Sequence, residues 1–199
     1  MGRRLLARIG GILALTMALS GCIDARLNVD VLTDKTARAT LTQTMAADFY
    51  AMIKADGDKG HRRFCKETGA VLTENHDGSA TCVIVREGDF AGLVFGGAEG
   101  QQTMSFTPAG EGSIRVGFPT AELVKALSNN KQMDDQTRSM LLALFQDHNL
   151  TLVVDGGEIV ESNMTIAADR HSATETVPFT DLLGGTAQLP QELYAVVKR

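Results

Sequence analysis

No tryptophan occurs in the 199 residues, aromatic side chains make up only 5% of them, and there are three cysteines. Three cysteines cannot build the dense disulfide framework of a small secreted scaffold, and a chain of this length buries a core without one. The scarcity of rings leaves aliphatic side chains to line any interior cavity, which suits a flexible chain better than a flat ring. A basic excess is also missing. Lys and Arg number 19 against 24 Asp and Glu, a formal charge of −5, whereas duplex binding calls for clustered positive charge, so nucleic acid is excluded as a partner. No apolar run reaches the roughly 20 residues that a helix needs to cross a bilayer. With 44% hydrophobic and 22% charged residues, disordered and collagen-like chains are excluded too, which leaves one globular domain.

Familiar catalytic patterns are equally absent. No serine sits in G-x-S-x-G, no H-E-x-x-H occurs, and no lysine follows a glycine-rich turn as in a P-loop. Gly96-Gly97-Ala98-Glu99-Gly100 lacks the strand before it and the helix after it that dinucleotide binding requires. The sequence therefore names no catalytic residue, no cofactor and no metal site.

What is present begins at the first residues. Arg3, Arg4 and Arg8 precede an apolar run at 9–19, followed by Ser20-Gly21-Cys22. This is the pattern of a secretory signal peptide over residues 1–21. Leu19-Ser20-Gly21-Cys22 resembles the lipobox of bacterial lipoproteins, where small residues let a peptidase reach the bond before a lipid-modified cysteine. Cys22 is then the acylated N-terminus of a single domain over residues 22–199. Removing the leader's three arginines from 19 basic residues against 24 acidic ones leaves a formal charge of −8. Acyl chains do the anchoring, since each buried methylene contributes about 0.8 kcal/mol and two or three chains hold stably where one is marginal. The expected location is the cell envelope, facing the periplasm. Ile23 after the cysteine, in place of Asp, points to the outer membrane.

With Cys22 acylated, Cys65 and Cys82 remain as one pair in an oxidising compartment, and a disulfide is the expectation. The alternative is a metal site using His61, Cys65, His76 and Cys82, whose spacing lacks the tight pairs usual for zinc.

Along the rest of the chain, Ile23, Ala25, Leu27, Val29 and Val31 alternate with polar residues, which predicts a half-buried strand and then a hairpin through Thr33-Asp34-Lys35 into 36–44. Met45, Phe49, Met52 and Ile53 share a helical face up to Gly57, and a second helix is expected over 58–68. Strands follow at 71–74 and 80–86 around Asn75-His76-Asp77-Gly78, with 82–85 read as buried on both faces. Residues 88–100 read as an irregular connection, with a ligand-gating loop as the alternative. A hairpin around 108–112, helices from 119 and 134, and strands at 150–155, 158–168 and 173–179 complete the pattern. The order of elements predicts an α+β fold, an antiparallel sheet built from hairpins with helices packed on one face. Beneath those helices Leu27, Val29 and Val31 are expected to meet Met104, Phe106, Val116, Leu152 and Val154 in a filled core. Asp169-Arg170-His171 reads as a solvated turn, Arg62-Arg63 with Lys66 as a solvated helix face, and His148 as a partner of the last carbonyls of its helix.

The lipobox, the alternating first hairpin and the run from Leu150-Thr151-Leu152-Val153-Val154-Asp155 through Gly156-Gly157 to Asn163 together resemble the LppM-type family of bacterial envelope lipoproteins. The resemblance extends over most of the mature chain and implies a mixed α/β fold likened to lipid-binding domains. The sequence departs from that family in lacking the C-terminal membrane span many members carry and in having the Cys65 and Cys82 pair, and no functional residue is transferred. The expected role is a lipid-anchored, non-catalytic binding or assembly component, attached to the membrane through acyl chains, with an envelope protein or a lipid as ligand. A carrier of lipid or another apolar ligand and a hydrolase with an unrecognised site are the alternatives.

Overall fold

The alternation from Ile23 onward forms the central hairpin of a computed structural model that describes residues 23–55, 64–93, 104–121, 124 and 135–199. Strand β1 (Ile23–Val31) pairs antiparallel with β2 (Thr36–Met45). The register sets large residues against small ones, with Val29 opposite Ala39 and Val31 opposite Ala37. The connecting turn is held by Thr33, whose hydroxyl oxygen accepts hydrogen bonds from the backbone N–H groups of Lys35 and Thr36. Helix α1 (Ala47–Ala55) follows, then β3 (Val71–Glu74) and β4 (Ala80–Asp89), which runs the full length of β2. Strands β5 (Ser105–Pro108) and β6 (Ser113–Phe118) make a further hairpin, and α2 (Asp135–Leu144) leads into β7 (Asn149–Asp155). The chain ends with β8 (Glu158–Ser162), β9 (Thr165–Ile166), β10 (Ser172–Pro178), α3 (Phe179–Gly184) and β11 (Leu193–Lys198).

These strands form two sheets, ordered β3-β4-β2-β1-β7-β10-β9 and β5-β6-β11-β8. The protein is α+β, and among the described residues every strand pair is antiparallel except β1 with β7, which run parallel, Leu27 beside Leu152. The finer arrangement departs from the expected one. Over the Val29–Val31 half of β1, the inner face of the large sheet is covered by the small sheet, not by helices. Val29, Val31 and Val154 of the large sheet share one buried cluster with Val116, Ile159, Ala195 and Val197 of the small one, and none of the seven has exposed surface. No space wide enough for a water molecule borders these side chains, so this part of the interior is filled. Phe106 lies at its margin, stacked on Phe90 with centroids 4.3 Å apart.

The helices cover the other half. Ile23, Met45, Tyr50 and Ala80 form a cluster under α1. Phe145, Val177, Phe179 and Leu182 form another, with Ala25, Leu150 and Leu141 packed against it, where α2 and α3 meet the starts of β1 and β7. Helices α1, α2 and α3 thus gather at the end of the sheet where β1 begins.

Gly156-Gly157 does not fold β8 back on β7. It carries the chain from the large sheet to the small one. At Gly156, with φ at +105°, a Cβ would lie inside the backbone of Val31, and one at Gly157 would come within 2.9 Å of Val197 Cγ1, so only glycine passes between the sheets here. The strand expected over 158–168 is broken for the same reason, because the chain returns to the large sheet at Asn163. There the Asn163 side chain bonds the backbone of β11, accepting from Tyr194 N–H at 2.7 Å and donating to the Glu192 carbonyl at 2.9 Å. Residues 82–85 are not buried on both faces either. Val85 is 46% exposed on the open face of the large sheet. The helices expected over 58–68 and from 119 lie largely outside the described residues.

Candidate functional site

The chemistry nearest the predicted anchor gathers around the first residues of β1. Cys22 itself lies outside the described residues, but Ile23 is already strand-paired with Met45. Asp24 accepts a hydrogen bond from the Asn149 backbone N–H at 2.9 Å on one oxygen and faces His148 Nδ1 at 3.2 Å with the other. The His148 ring therefore serves Asp24 and not the carbonyls of α2, and its backbone N–H bonds the Phe145 carbonyl in the turn after that helix. A carboxylate only accepts, so Nδ1 carries the proton. The contact clasps the parallel pair β1 and β7 at its beginning. His148 was visible in the sequence, but Asp24 as its partner was not, because 124 residues separate them.

Beside this clasp, α1 is tied to the sheet by a second polar group. The buried Tyr50 hydroxyl donates to Glu74 Oε1 at 2.9 Å, and Lys54 Nζ meets Glu74 Oε2 at 2.7 Å. Burial of the phenol, then its hydrogen bond to Glu74 and that group's charge, push the Tyr50 pKa up to about 12.

A further cluster occupies the outer face of the small sheet. Arg115 bonds Glu192 at 2.5 Å and lies over the Tyr194 ring at 3.6 Å from its centroid. Ser105 reaches the other Glu192 oxygen at 3.2 Å, and the Tyr194 hydroxyl donates to Glu161 at 2.6 Å. The bond to Glu161 is the main cause that raises the Tyr194 pKa. The charged groups satisfy one another, and the cluster joins β6, β8 and β11.

On the open face of the large sheet, Asn28 Oδ1 and Asp155 Oδ1 are buried atoms without hydrogen-bond partners. Burial raises the Asp155 pKa, and the neighbouring Asp30 charge adds to it. Asp30 and Asp155 stand side by side in the parallel register, a juxtaposition hidden from hairpin logic. Among the described residues no group of His, Cys, Asp and Glu is arranged to hold a metal ion.

Cys65 and Cys82 are joined in a disulfide with Cα atoms 5.6 Å apart. Cys82 is fully buried in β4, so neither sulfur is a free thiolate for a metal. His61, Arg62 and Arg63 lie outside the described residues, as do residues 94–100 of the connection expected over 88–100. Lys66 is exposed. Asp169-Arg170-His171 is a turn. Asp169 accepts from the His171 backbone N–H, Arg170 at φ +58° donates to the Ile159 carbonyl, and the His171 ring bonds the Gly157 carbonyl at 3.2 Å. Asp169 thus meets the His171 backbone, while the ring is directed to Gly157.

No family model matches the chain, and no curated protein matches it. Among solved structures it is similar to the NMR structure of the folded domain of the Mycobacterium tuberculosis LppM protein, at 9% identity over 89% of this chain and 91% of that one, with a TM-score of 0.43. The likeness is distant, and no residue role is carried through it. Among the described residues, no helix is long and apolar enough to cross a membrane.

Proposed function

We propose that this chain is an envelope lipoprotein, held to the membrane by acyl chains on Cys22, whose two-sheet domain is a non-catalytic binding or assembly component facing the periplasm from the outer membrane. The observation that carries the reading is the run Leu19-Ser20-Gly21-Cys22 after a short apolar leader, standing directly before the first strand residue Ile23. A peptidase that cuts before Cys22 leaves intact the pairing of β1 with β2, which is described from Ile23 onward. The densest polar groups support a non-catalytic role. Glu74, Glu192 and Asp24 are each engaged by Tyr, Arg, Ser or backbone partners that tie one element to another. The lipid-carrier reading would place an acyl chain between the sheets, where Val29, Val31, Val116 and Val154 border no water-sized space.

Replacing Cys22 by Ser tests the anchor, with release of the protein from the membrane fraction as the expected result. Crosslinking in intact cells followed by pull-down tests the binding role. The expected product is a reproducible crosslink to an envelope protein that disappears when the C22S protein is left unanchored. Recovery of the wild-type chain in the soluble periplasmic fraction would contradict the reading.

A further inference from the structure

The described chain starts inside a strand, so no tether separates Cys22 from the fold: Ile23 is already paired with Met45. One residue spans at most about 3.6 Å, and whatever is fixed at Cys22 fixes the start of β1 at nearly the same depth. Helices α1, α2 and α3 meet at this end. Helix α1 begins two residues after Met45, the turn after α2 brings His148 onto Asp24, and α3 follows Pro178, which pairs with Asn149 at the start of β7. Both longer helices turn a large apolar side chain to solvent, Met52 at 60% exposure and Met140 at 57%. Methionine is unbranched and adapts to irregular surroundings. The opposite end of β1 lies eight residues away, about 26 Å at strand rise, and there the turn Thr33-Asp34-Lys35 is polar and exposed.

We propose that the helical end of the domain rests directly on the lipid bilayer, with Met52 and Met140 seated in the headgroup region. The inference rests on acylation of Cys22 as proposed above. The exposed charges described at this end are of both signs, Asp24, Asp48 and Asp147 against Arg26 and Arg138, while Lys54 is held by Glu74. That balance offers no attraction to anionic lipid, so the contact is apolar and forms on zwitterionic membranes.

The test uses the full acylated protein reconstituted in phosphatidylcholine vesicles that carry nitroxide-labelled lipids. With Cys22 acylated and Cys65 bonded to Cys82, the variants Met52→Cys, Met140→Cys and Asp34→Cys each offer one free thiol for an environment-sensitive fluorophore. The expected result is a blue-shifted emission at positions 52 and 140, quenched by the lipid nitroxides at least about threefold more than at position 34. Asp48→Cys, which keeps both methionines, is expected to follow 52 and 140. Equal quenching at all positions by aqueous iodide, and none by the lipid nitroxides, in protein whose intact mass includes the acyl chains overturns the docking while leaving the anchor in place. An intact mass without acyl chains overturns the anchor, and the docking falls with it.

Discussion

The two ends of the large sheet are built from different materials. Where β1 finishes, Val29 and Val31 are closed over by a second sheet, and Gly156-Gly157 threads between the sheets with no room for a side chain. The C-terminal Arg199 adds to this junction, donating to the Val31 carbonyl at 2.8 Å and also to the Gly156 carbonyl. Where β1 starts, α1, α2 and α3 cap smaller apolar clusters, polar clasps such as Asp24 with His148 and Tyr50 with Glu74 do the joining, and methionines face outward. The dry end sets the fold and its stability. The helical end, adjoining the proposed lipid attachment, has the adaptable surface. Substitutions at the first are therefore expected to act on stability and at the second on contacts.

The largest effect is expected at the junction. Gly156→Ala places a Cβ in the Val31 backbone at a positive φ and is predicted to cost about 3 kcal/mol or more, combining backbone strain with overpacking. Gly110→Ala is the matched control. It has nearly the same φ, +104°, with nothing near its Cβ, and is predicted to cost only about 1–2 kcal/mol. Urea denaturation of both variants separates steric closure from backbone strain, and equal midpoints would show that the sheets are not in tight contact there.

Next in size is the disulfide. Cys65 and Cys82 are 17 residues apart, and opening the loop with a Cys65→Ser, Cys82→Ser double variant is predicted to cost about 3 kcal/mol on the chain-entropy estimate, read as a lower urea midpoint. Non-reducing peptide mapping checks the pairing itself.

Much of this was legible in the sequence, and the parts that were not have physical reasons. The alternation at Ile23–Val31 gave β1 and its buried side, because period-two patterning reports one buried face directly. Strand β11 carries no such signal. Leu193, Ala195, Val196 and Val197 are all buried, and a short run without alternation carries no strand period. The division into two sheets was hidden because hairpin reading pairs consecutive strands, whereas β7 lies beside β1 and β8 beside β11. For the same reason Asp24 and His148 could not be joined in advance.

At the helical end the predicted effects are smaller. Tyr50→Phe removes one hydrogen bond to Glu74 and is expected to cost about 1 kcal/mol. The phenol's raised pKa gives this contact a pH signature. A folded pKa of about 12 against an ordinary value of 10 means that its contribution is fully present below pH 10 and is lost as the pH rises from 10 to 12. Ultraviolet titration should find both tyrosines above the ordinary value, and Tyr50→Phe should remove the transition near 12. Smallest of all, Asp24→Asn is predicted to cost under about 1 kcal/mol, since the carboxylate is half exposed and its pairing with His148 is screened by water. Stability losses there as large as those at Gly156 would erase the contrast between the two ends.

The most direct test of the account is the intact mass of the protein extracted from membranes. The prediction is a chain that begins at Cys22 and carries the added mass of its acyl groups. A membrane form that retains residues before Cys22, or that begins at an unmodified Cys22, would contradict it.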